Sequence, residues 1–295
     1  MHEDDHEFLP DPSGPRPVER LQAGRREPHV ETLAEELPVA LVYNGISHAV
    51  MLASPADLED FALGFSLSEG IIDSPDDLLD AEILPADLGE SVALAGTTER
   101  GLSVELKVTL RCFMRLKERR RTLAGRTGCG LCGTESLAEA VRPVGREAAC
   151  IAVEAAALER AMAALPRHQT LQQATGATHA AAWCAPDGEV LLVREDVGRH
   201  NALDKLIGAL ARAGTDPAAG FVVVTSRASY EMVYKAAHAG FGLLAAVSAP
   251  TGLAVRTAEA AGLVLAGFVR GDRAVAYSHA SRLLTTPAPV PVSSS

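Results

Sequence analysis

Two cysteines near the middle of the chain, Cys129 and Cys132, are separated by only two residues. This spacing holds two sulfur atoms within reach of each other, and neighbouring glycines keep the backbone there uncrowded. Guanidinium charge nearby favours the thiolate, which is the form that attacks sulfur or binds a metal. Four arginines precede the pair, at Arg119, Arg120, Arg121 and Arg126. The pair therefore indicates sulfur, redox or metal chemistry.

A metal site is the weaker of these interpretations. Structural zinc usually takes four ligands, and a second Cys-x-x-Cys pair is absent from the sequence. The isolated cysteines, Cys112, Cys150 and Cys184, are expected to be buried apolar residues. A thioredoxin-like redox pair normally follows a strand and opens a helix, whereas glycines flank this one. We therefore expect reactive thiols, with Cys129 and Cys132 as catalytic residues and no metal.

A second polar cluster runs from Arg194 to Asn201, where a strand is predicted to end and a helix to begin. Charged groups at strand ends of an α/β sheet often line the ligand crevice. A polar capping turn is the simpler alternative, but it needs fewer polar residues than this segment contains. The candidate binding residues here are Glu195, Asp196, Arg199 and His200.

A third cluster follows a fully apolar predicted strand and contains Thr225, Ser226 and Arg227. Hydroxyls, a guanidinium and a helix N-terminus together can form an anion pocket, and Lys235 lies further along the same predicted helix. The simpler alternative is an ordinary serine cap at Ser229. We favour a ligand of the phosphate type.

A fourth cluster is a glycine-containing turn with two arginines beside an aromatic ring. Such a set can hold a nucleotide's phosphates and face its base. From the residues alone, a solvated hairpin turn is the more favoured interpretation. The members are Phe268, Val269, Arg270, Gly271, Asp272 and Arg273.

Composition limits the class of protein. The chain has 295 residues, 47% of them hydrophobic, which is enough for one large or two smaller domains. Its formal net charge of -11 argues against general nucleic-acid binding. Five unevenly spaced cysteines in a chain of this length favour a reducing cytoplasm over a secreted disulfide framework. Because apolar runs are short, we expect neither a signal peptide nor a membrane span.

The pattern of residues predicts an α/β protein in two parts. Two short apolar runs joined at Asn44-Gly45 predict a β-hairpin, and Ser54-Pro55 then predicts a helix start with serine as cap. The second half alternates strands and helices, which indicates a layered α/β domain. The predicted boundaries are disorder over 1–17, an N-terminal α+β domain over 18–122, a flexible loop with the cysteine pair over 123–148, a C-terminal domain over 149–285, and a disordered tail over 286–295.

Together these segments resemble the formate dehydrogenase accessory sulfurtransferases, the FdhD family. The resemblance covers roughly residues 39–279. It departs from the family at Thr175 to His179, where members more often have a second glycine and an aliphatic residue. The matching segments read VALVYNGISHAVM with DLEDFALGFSLSEGI, GRTGCGLCG, REDVGRHNALDKLIG, TSRASYEMVYKAA, and VSAP with GFVRGDRAVAYSH.

The resemblance implies a sulfur carrier. Members of the family take sulfur from a cysteine desulfurase as a cysteine persulfide. They pass it to the molybdenum (or tungsten) bis-guanine-dinucleotide cofactor before that cofactor enters formate dehydrogenase. It also implies a three-layer, cytidine deaminase-like fold for the C-terminal domain, whose helix starts, with Arg270 and Arg273, would hold the guanine nucleotide. A homodimer is expected only because twofold oligomers are common.

Two other functions remain open. A zinc deaminase needs a His or Cys followed by Glu, and a Pro-Cys-x-x-Cys at the next helix start. The corresponding helix starts here contain Arg199-His200-Asn201 and Ser226-Arg227-Ala228-Ser229 without those ligands, so this chemistry is disfavoured. A chaperone that binds and delivers the cofactor without transferring sulfur is equally compatible with a cofactor pocket.

Overall fold

The computed structural model describes residues 8–87, 101–124, 144 and 148–285, with the backbone alone for 119–124. Cys129, Cys132 and Arg126 lie outside the described residues, as do most of the predicted loop and the predicted C-terminal tail. In the described part of the chain, no helix is long and apolar enough to cross a membrane.

The described chain begins with a two-stranded antiparallel ribbon, β1 (Ser13–Gln22) and β2 (Arg25–Ala34). Residues 13–17 therefore form part of a strand, where the sequence predicted disorder. Pairing over ten residues stabilises this segment, and ion pairs reinforce it. One of these joins Arg16 to Glu35 at 2.8 Å, and another joins Arg20 to Glu31 at 3.0 Å. Such long-range pairing leaves no local signal in a proline- and charge-rich segment.

A four-stranded sheet and two helices follow. The strands are β3 (Leu37–Tyr43), β4 (Ile46–Ala53), β5 (Leu78–Ala86) and β6 (Gly101–Val108), in the order β4-β3-β6-β5. The helices are α1 (Leu58–Ser68) and α2 (Leu110–Ala124). Asn44 and Gly45 have φ values of 47° and 79°, which confirms the tight hairpin turn predicted between β3 and β4. Alternate residues of β3 are buried, as a strand with one face on a core requires.

Helix α1 begins at Leu58, later than the predicted start at Ser54-Pro55. The polar groups of Ser54 are bound elsewhere: its N–H donates to Asp196 Oδ2 at 3.0 Å, and its carbonyl accepts from Lys205 Nζ at 3.1 Å. The chain turns instead at Asp57, which has a left-handed φ of 53°. The prediction was wrong because a serine held by distant residues cannot also cap its own helix.

The C-terminal part is a three-layer α/β unit. Its strands are β7 (Val153–Glu154), β8 (His179–Cys184), β9 (Val190–Asp196), β10 (Phe221–Val224), β11 (Leu243–Ala246), β12 (Val264–Arg270), β13 (Arg273–Ser278) and β14 (Leu283–Leu284). Its helices are α3 (Ala155–Ala164), α4 (Thr170–Thr175), α5 (Arg199–Arg212), α6 (Tyr230–Ala239) and α7 (Gly252–Ala261). The central sheet has the order β13-β12-β11-β10-β8-β9, while β7 pairs with β14. Helices α5, α6 and α7 pack on one face and α3 on the other, each over its own apolar core. The predicted mixed α/β class is confirmed.

Helices α1 and α5 join the two parts and cross at two glycines. A Cβ atom on Gly64 would lie 1.7 Å from the carbonyl oxygen of Asp204, and one on Gly208 would lie 1.9 Å from that of Asp60. The helix backbones are therefore in direct contact. Two ion pairs flank the crossing, Arg194–Asp60 at 2.7 Å and Arg212–Glu59 at 2.9 Å.

The isolated cysteines differ in burial. Cys112 and Cys184 are buried, as predicted, but Cys150 is exposed. Its neighbour Ile151 contacts the core beneath α3, and adjacent positions of an extended chain face opposite ways. The arginines at 119–121 lie on α2, so the chain remains helical to Ala124 before the segment that holds the cysteine pair.

Candidate functional site

One edge of the central sheet collects most of the predicted site residues. Strands β9, β10, β11 and β12 run parallel and end at this edge, and α5, α6 and α7 begin there. The antiparallel strand β8 starts at the same edge. Since helix N-termini carry partial positive charge and free N–H groups, this arrangement favours an anion. We call it the anion edge. It comprises Arg199 and His200 at the start of α5, residues 225–229 between β10 and α6, and residues 268–273 at the turn from β12 to β13.

Two acidic residues at the end of β9 form hydrogen bonds within the protein. Glu195 accepts from the N–H groups of Leu171 and Gln172 at 2.9 and 2.8 Å, so it caps the start of α4. Asp196 is completely buried. It accepts from the backbone N–H groups of Ser54 and Gly198. It also accepts from Asn201 Nδ2 and Lys205 Nζ. A carboxylate has about four acceptor positions, so Asp196 has none left for a ligand in this structure.

Arg199 and His200 form the first turn of α5. His200 Nε2 lies 2.9 Å from Glu231 Oε2 of α6, and burial lowers the pKa of His200 despite that carboxylate. The Nε of Arg199 is buried and has no hydrogen-bond partner among the described residues. A guanidinium with an unsatisfied N–H beside a helix N-terminus is suited to an anionic ligand.

The turn from β10 to α6 contains the third cluster. Thr225 pairs with β8, where its Oγ1 accepts from the Ala180 N–H at 2.9 Å. Ser226 is buried and its hydroxyl donates to the Arg227 carbonyl at 3.0 Å, whereas Arg227 itself is exposed. Ser229 occupies the cap position of α6 without a side-chain cap bond, and its buried Oγ has no partner among the described residues. The ordinary serine cap is therefore not formed.

Lys235 lies on α6 away from the anion edge. Its Nζ lies 2.9 Å from Asp204 Oδ2 and 2.8 Å from Glu69 Oε1, and the side chain is only 7% exposed. Burial alone would lower the pKa of Lys235, but the two carboxylates outweigh it and raise the pKa. This side chain holds α6 to α1 and α5, so direct contact with a ligand is not available to it here.

The turn from β12 to β13 places a guanidinium over an aromatic ring. The Arg273 guanidinium carbon lies 5.8 Å from the centre of the Phe268 ring. Phe268 adopts φ 52°, a conformation that is uncommon for a side chain of this size and that often marks a functional position. Arg270 Nε donates to the Val247 carbonyl at 2.9 Å, which fastens the turn to the segment directly after β11. Val269 is buried, while Gly271 and Asp272 are exposed at the tip.

Sequence reasoning missed a polar pocket beside the anion edge. The pocket has a volume of about 410 Å³. Its lining includes Gln172 of α4, Thr178 and His179 where β8 begins, and Thr225 directly after β10. Burial lowers the pKa of His179, and the Arg199 charge lowers it further, which favours the neutral imidazole. The signal was present as a histidine at the start of a strand, but only the tertiary structure places it beside Arg199.

Two aspartates and a cysteine in the N-terminal part of the chain form a separate cluster of possible metal ligands. Asp73, Asp77 and Cys112 have ligand-type atoms within 4.8 Å of one another. Arg111 binds both carboxylates, at 2.8 Å from Asp73 and 3.0 Å from Asp77, and Arg115 binds Asp73 at 2.9 Å. The two guanidinium groups neutralise the carboxylates, which leaves little negative charge to bind a cation. We therefore infer that these ion pairs hold α2 in place.

Comparisons with known proteins agree with the sequence resemblance. The FdhD/NarQ family model matches residues 34–284. The chain is 58% identical over 269 residues to the sulfur carrier protein FdhD of Cupriavidus necator, covering 90% of this chain and 88% of the relative. It is 55% identical over 257 residues to that of Bordetella petrii, covering 87% and 88%.

A solved structure shows the same fold. The crystal structure of a proposed formate dehydrogenase accessory protein from Desulfotalea psychrophila superposes with a TM-score of 0.67 at 21% identity. The alignment covers 92% of this chain and 99% of the other.

Proposed function

Because this chain belongs to the FdhD/NarQ family, we propose that it is a sulfur carrier that serves formate dehydrogenase. The identity of 58% to a protein named as a sulfur carrier is the observation that carries this proposal. The cysteine pair supplies a chemical basis, since Cys129 and Cys132 are the thiols expected to be reactive.

The proposed reaction is persulfide transfer in two steps. A thiolate of the pair attacks the outer sulfur of a desulfurase persulfide. The sulfur–sulfur bond of the donor breaks, a new one forms on this protein, and the donor leaves as a thiolate. In the second step the other thiolate of the pair attacks the inner sulfur of the persulfide, so that a Cys129–Cys132 disulfide forms and the outer sulfur leaves as hydrosulfide. The hydrosulfide passes to the molybdenum (or tungsten) bis-guanine-dinucleotide cofactor, which is the cargo, before insertion into formate dehydrogenase, and a thiol reductant restores the pair. Arg126 and the arginines at 119–121 would stabilise the anions.

We assign the anion edge to the guanine nucleotide part of that cofactor. Arg199, Arg227 and Arg273 provide positive charge, and the starts of α5 and α6 provide N–H groups. The Phe268 ring, with the Arg273 guanidinium over it, could stack on a nucleotide base, and the guanidinium could bind a phosphate. Glu195 and Asp196, which the sequence predicted as contacts, support this edge from within the protein, whereas Lys235 lies away from it and holds α6 to α1 and α5.

Two remaining features of the proposal follow from the family resemblance: a cysteine desulfurase as sulfur donor and a cytidine deaminase-like C-terminal domain. A cytoplasmic location rests on the cysteine usage, and a homodimer rests on the general commonness of twofold oligomers. The starts of α5 and α6 lack the zinc ligands of a deaminase, which supports sulfur transfer over deamination.

Guanosine diphosphate is expected to bind the purified protein, and Arg273→Ala is expected to weaken binding at least tenfold. This corresponds to about 1.4 kcal/mol, a typical loss for a charge-assisted phosphate contact. Calorimetry on both proteins measures the effect. Arg25→Ala is the matched control, because Arg25 is also exposed but lies at the ribbon tip. Equal affinity of wild type and Arg273→Ala would remove Arg273 from the site.

Sulfur is expected to be carried by Cys129 rather than Cys132. Cys129 is nearer in sequence to Arg126, which favours its thiolate, whereas Cys132 is nearer to Glu135. After incubation with a cysteine desulfurase and cysteine, mass spectrometry should show a one-sulfur adduct on Cys132→Ser and none on Cys129→Ser. The reverse pattern would exchange the two roles. A wild-type protein that binds nucleotide but never carries sulfur would instead be a cofactor chaperone.

A further inference from the structure

Four hydrogen bonds connect the end of β4 with the start of α5, across the boundary between the two parts of the chain. Ser54 N–H donates to Asp196 Oδ2 at 3.0 Å, and Ser54 Oγ accepts from the Val197 N–H at 3.2 Å. The Ser54 carbonyl accepts from Lys205 Nζ at 3.1 Å, and the Leu52 carbonyl accepts from Asn201 Nδ2 at 2.8 Å. Every hydrogen-bonding group of Ser54 is thus directed to the β9–α5 segment.

The same segment contains a fully buried ion pair. Lys205 Nζ lies 2.7 Å from Asp196 Oδ2, and both side chains are 0% exposed. Burying two charges costs several kcal/mol per ion, and well-packed apolar residues often stabilise a fold as well or better. Stability alone is therefore a weak reason for this pair.

Geometry gives a more specific reason. Asp196 Oδ1 accepts from the Gly198 N–H at 2.7 Å and from Asn201 Nδ2 at 3.0 Å, so one carboxylate orients both ends of the first turn of α5. That turn carries Arg199 and His200. A Cβ atom on Gly198 would lie 2.9 Å from Asn201 Nδ2, which leaves the turn little room to move.

We infer that Ser54, Asp196 and Lys205 are positioning residues through which the N-terminal part of the chain sets the first turn of α5 at the anion edge. They act on the ligand through Arg199 and His200 and touch no ligand themselves. This inference rests on the proposed nucleotide site for its functional meaning, but the rigidity of the turn can be measured without nucleotide.

A second buried cluster provides a matched control. Ser68 donates to Asp204 at 2.6 Å, and Asp204 pairs with Lys235 at 2.9 Å. This cluster also joins a serine of the N-terminal part to a buried ion pair, here between α5 and α6, yet among the described residues no side-chain hydrogen bond or ion pair connects it to the first turn of α5. If such clusters contribute only stability, Ser54→Ala and Ser68→Ala should affect the anion edge alike.

The experiment compares Ser54→Ala with the control Ser68→Ala. It also compares two double variants that carry no charge at the pair: Asp196→Asn/Lys205→Met as the test and Asp204→Asn/Lys235→Met as the control. Three quantities are measured on the full chain: the melting temperature, the affinity for guanosine diphosphate, and the amide exchange rate of residues 199–202 without nucleotide. The double variants remove both charges of each buried pair, and in the second of them only Glu69, whose side chain is 21% exposed, loses the Lys235 cation. The serine variants remain informative where a double variant does not fold.

Ser54→Ala is expected to weaken nucleotide binding about fivefold, equivalent to about 1 kcal/mol for one lost hydrogen bond, and to speed exchange at residues 199–202. Ser68→Ala is expected to lower the melting temperature at least as much while leaving affinity and exchange of that turn unchanged. Wild-type exchange in Ser54→Ala, or equal changes in both serine variants, would overturn the inference. If the wild type binds no guanosine diphosphate, the proposed nucleotide site fails, and the exchange rates alone decide on positioning.

Discussion

Gly208→Ala is expected to prevent the two parts of the chain from assembling. The new Cβ would lie 1.9 Å from the Asp60 carbonyl oxygen and 2.9 Å from the Gly64 nitrogen. Both are backbone atoms, so no side chain can rotate to relieve the clash, and α1 and α5 must separate. Separation would also strain the flanking pairs Arg194–Asp60 and Arg212–Glu59. The expected loss is about 3 kcal/mol or more, the upper end of overpacking effects.

Chemical denaturation monitored by circular dichroism measures this loss, and soluble yield gives an early indication. Gly252→Ala is the control, because Gly252 begins α7 and its added Cβ would meet only the flexible Arg256 side chain at 3.6 Å. Gly64→Ala should reproduce the effect from the other helix, with a Cβ 1.7 Å from the Asp204 oxygen. A Gly208→Ala protein as stable as the Gly252→Ala protein would contradict the direct backbone contact between α1 and α5.

Lys235→Met is expected to destabilise the protein by about 3–5 kcal/mol, the usual cost of leaving one buried charge unpaired. Asp204 is 1% exposed and would lose its cation, while Glu69, the second carboxylate on Lys235, would lose its cation as well. The matched control is Lys107→Met, because Lys107 pairs with Asp80 at a comparable 2.7 Å but with side chains 71% and 54% exposed. Exposed pairs contribute little, so this variant should unfold at nearly the wild-type denaturant concentration.

The loss in Lys235→Met should depend on pH. Burial raises the pKa of Asp204 above its unfolded value, so protonating this carboxyl favours the folded state. Stability of the variant is therefore highest below the unfolded pKa and falls as pH rises through the folded pKa. Adding Asp204→Asn should recover part of the loss at neutral pH. Denaturant titrations across the acidic range that show a constant difference from wild type would contradict the role of Asp204.

Local sequence patterns determined the elements of this fold well. The Asn44-Gly45 turn, the short apolar run that forms β3 and the apolar run of β10 each depend on neighbours in the chain, and each was predicted from them. The mixed α/β class follows from the same patterns. The reactive character of the cysteine pair also rests on residue type and nearby charge, and it stays a prediction because the pair lies outside the described residues.

Only the tertiary structure decided which polar residues are open to a ligand. Asp196 and Arg199 stand three positions apart in one motif, yet Asp196 is enclosed by Ser54 and Lys205 while the Arg199 Nε has no partner among the described residues. The partners of Ser54 lie more than a hundred residues away in the chain, and no local pattern encodes such contacts. Residue types alone identified the polar motifs. Burial is a property of the assembled fold, and the contact of the Ser54 segment with β9 and α5 determined that Asp196 supports the anion edge, whereas Arg199 can form it.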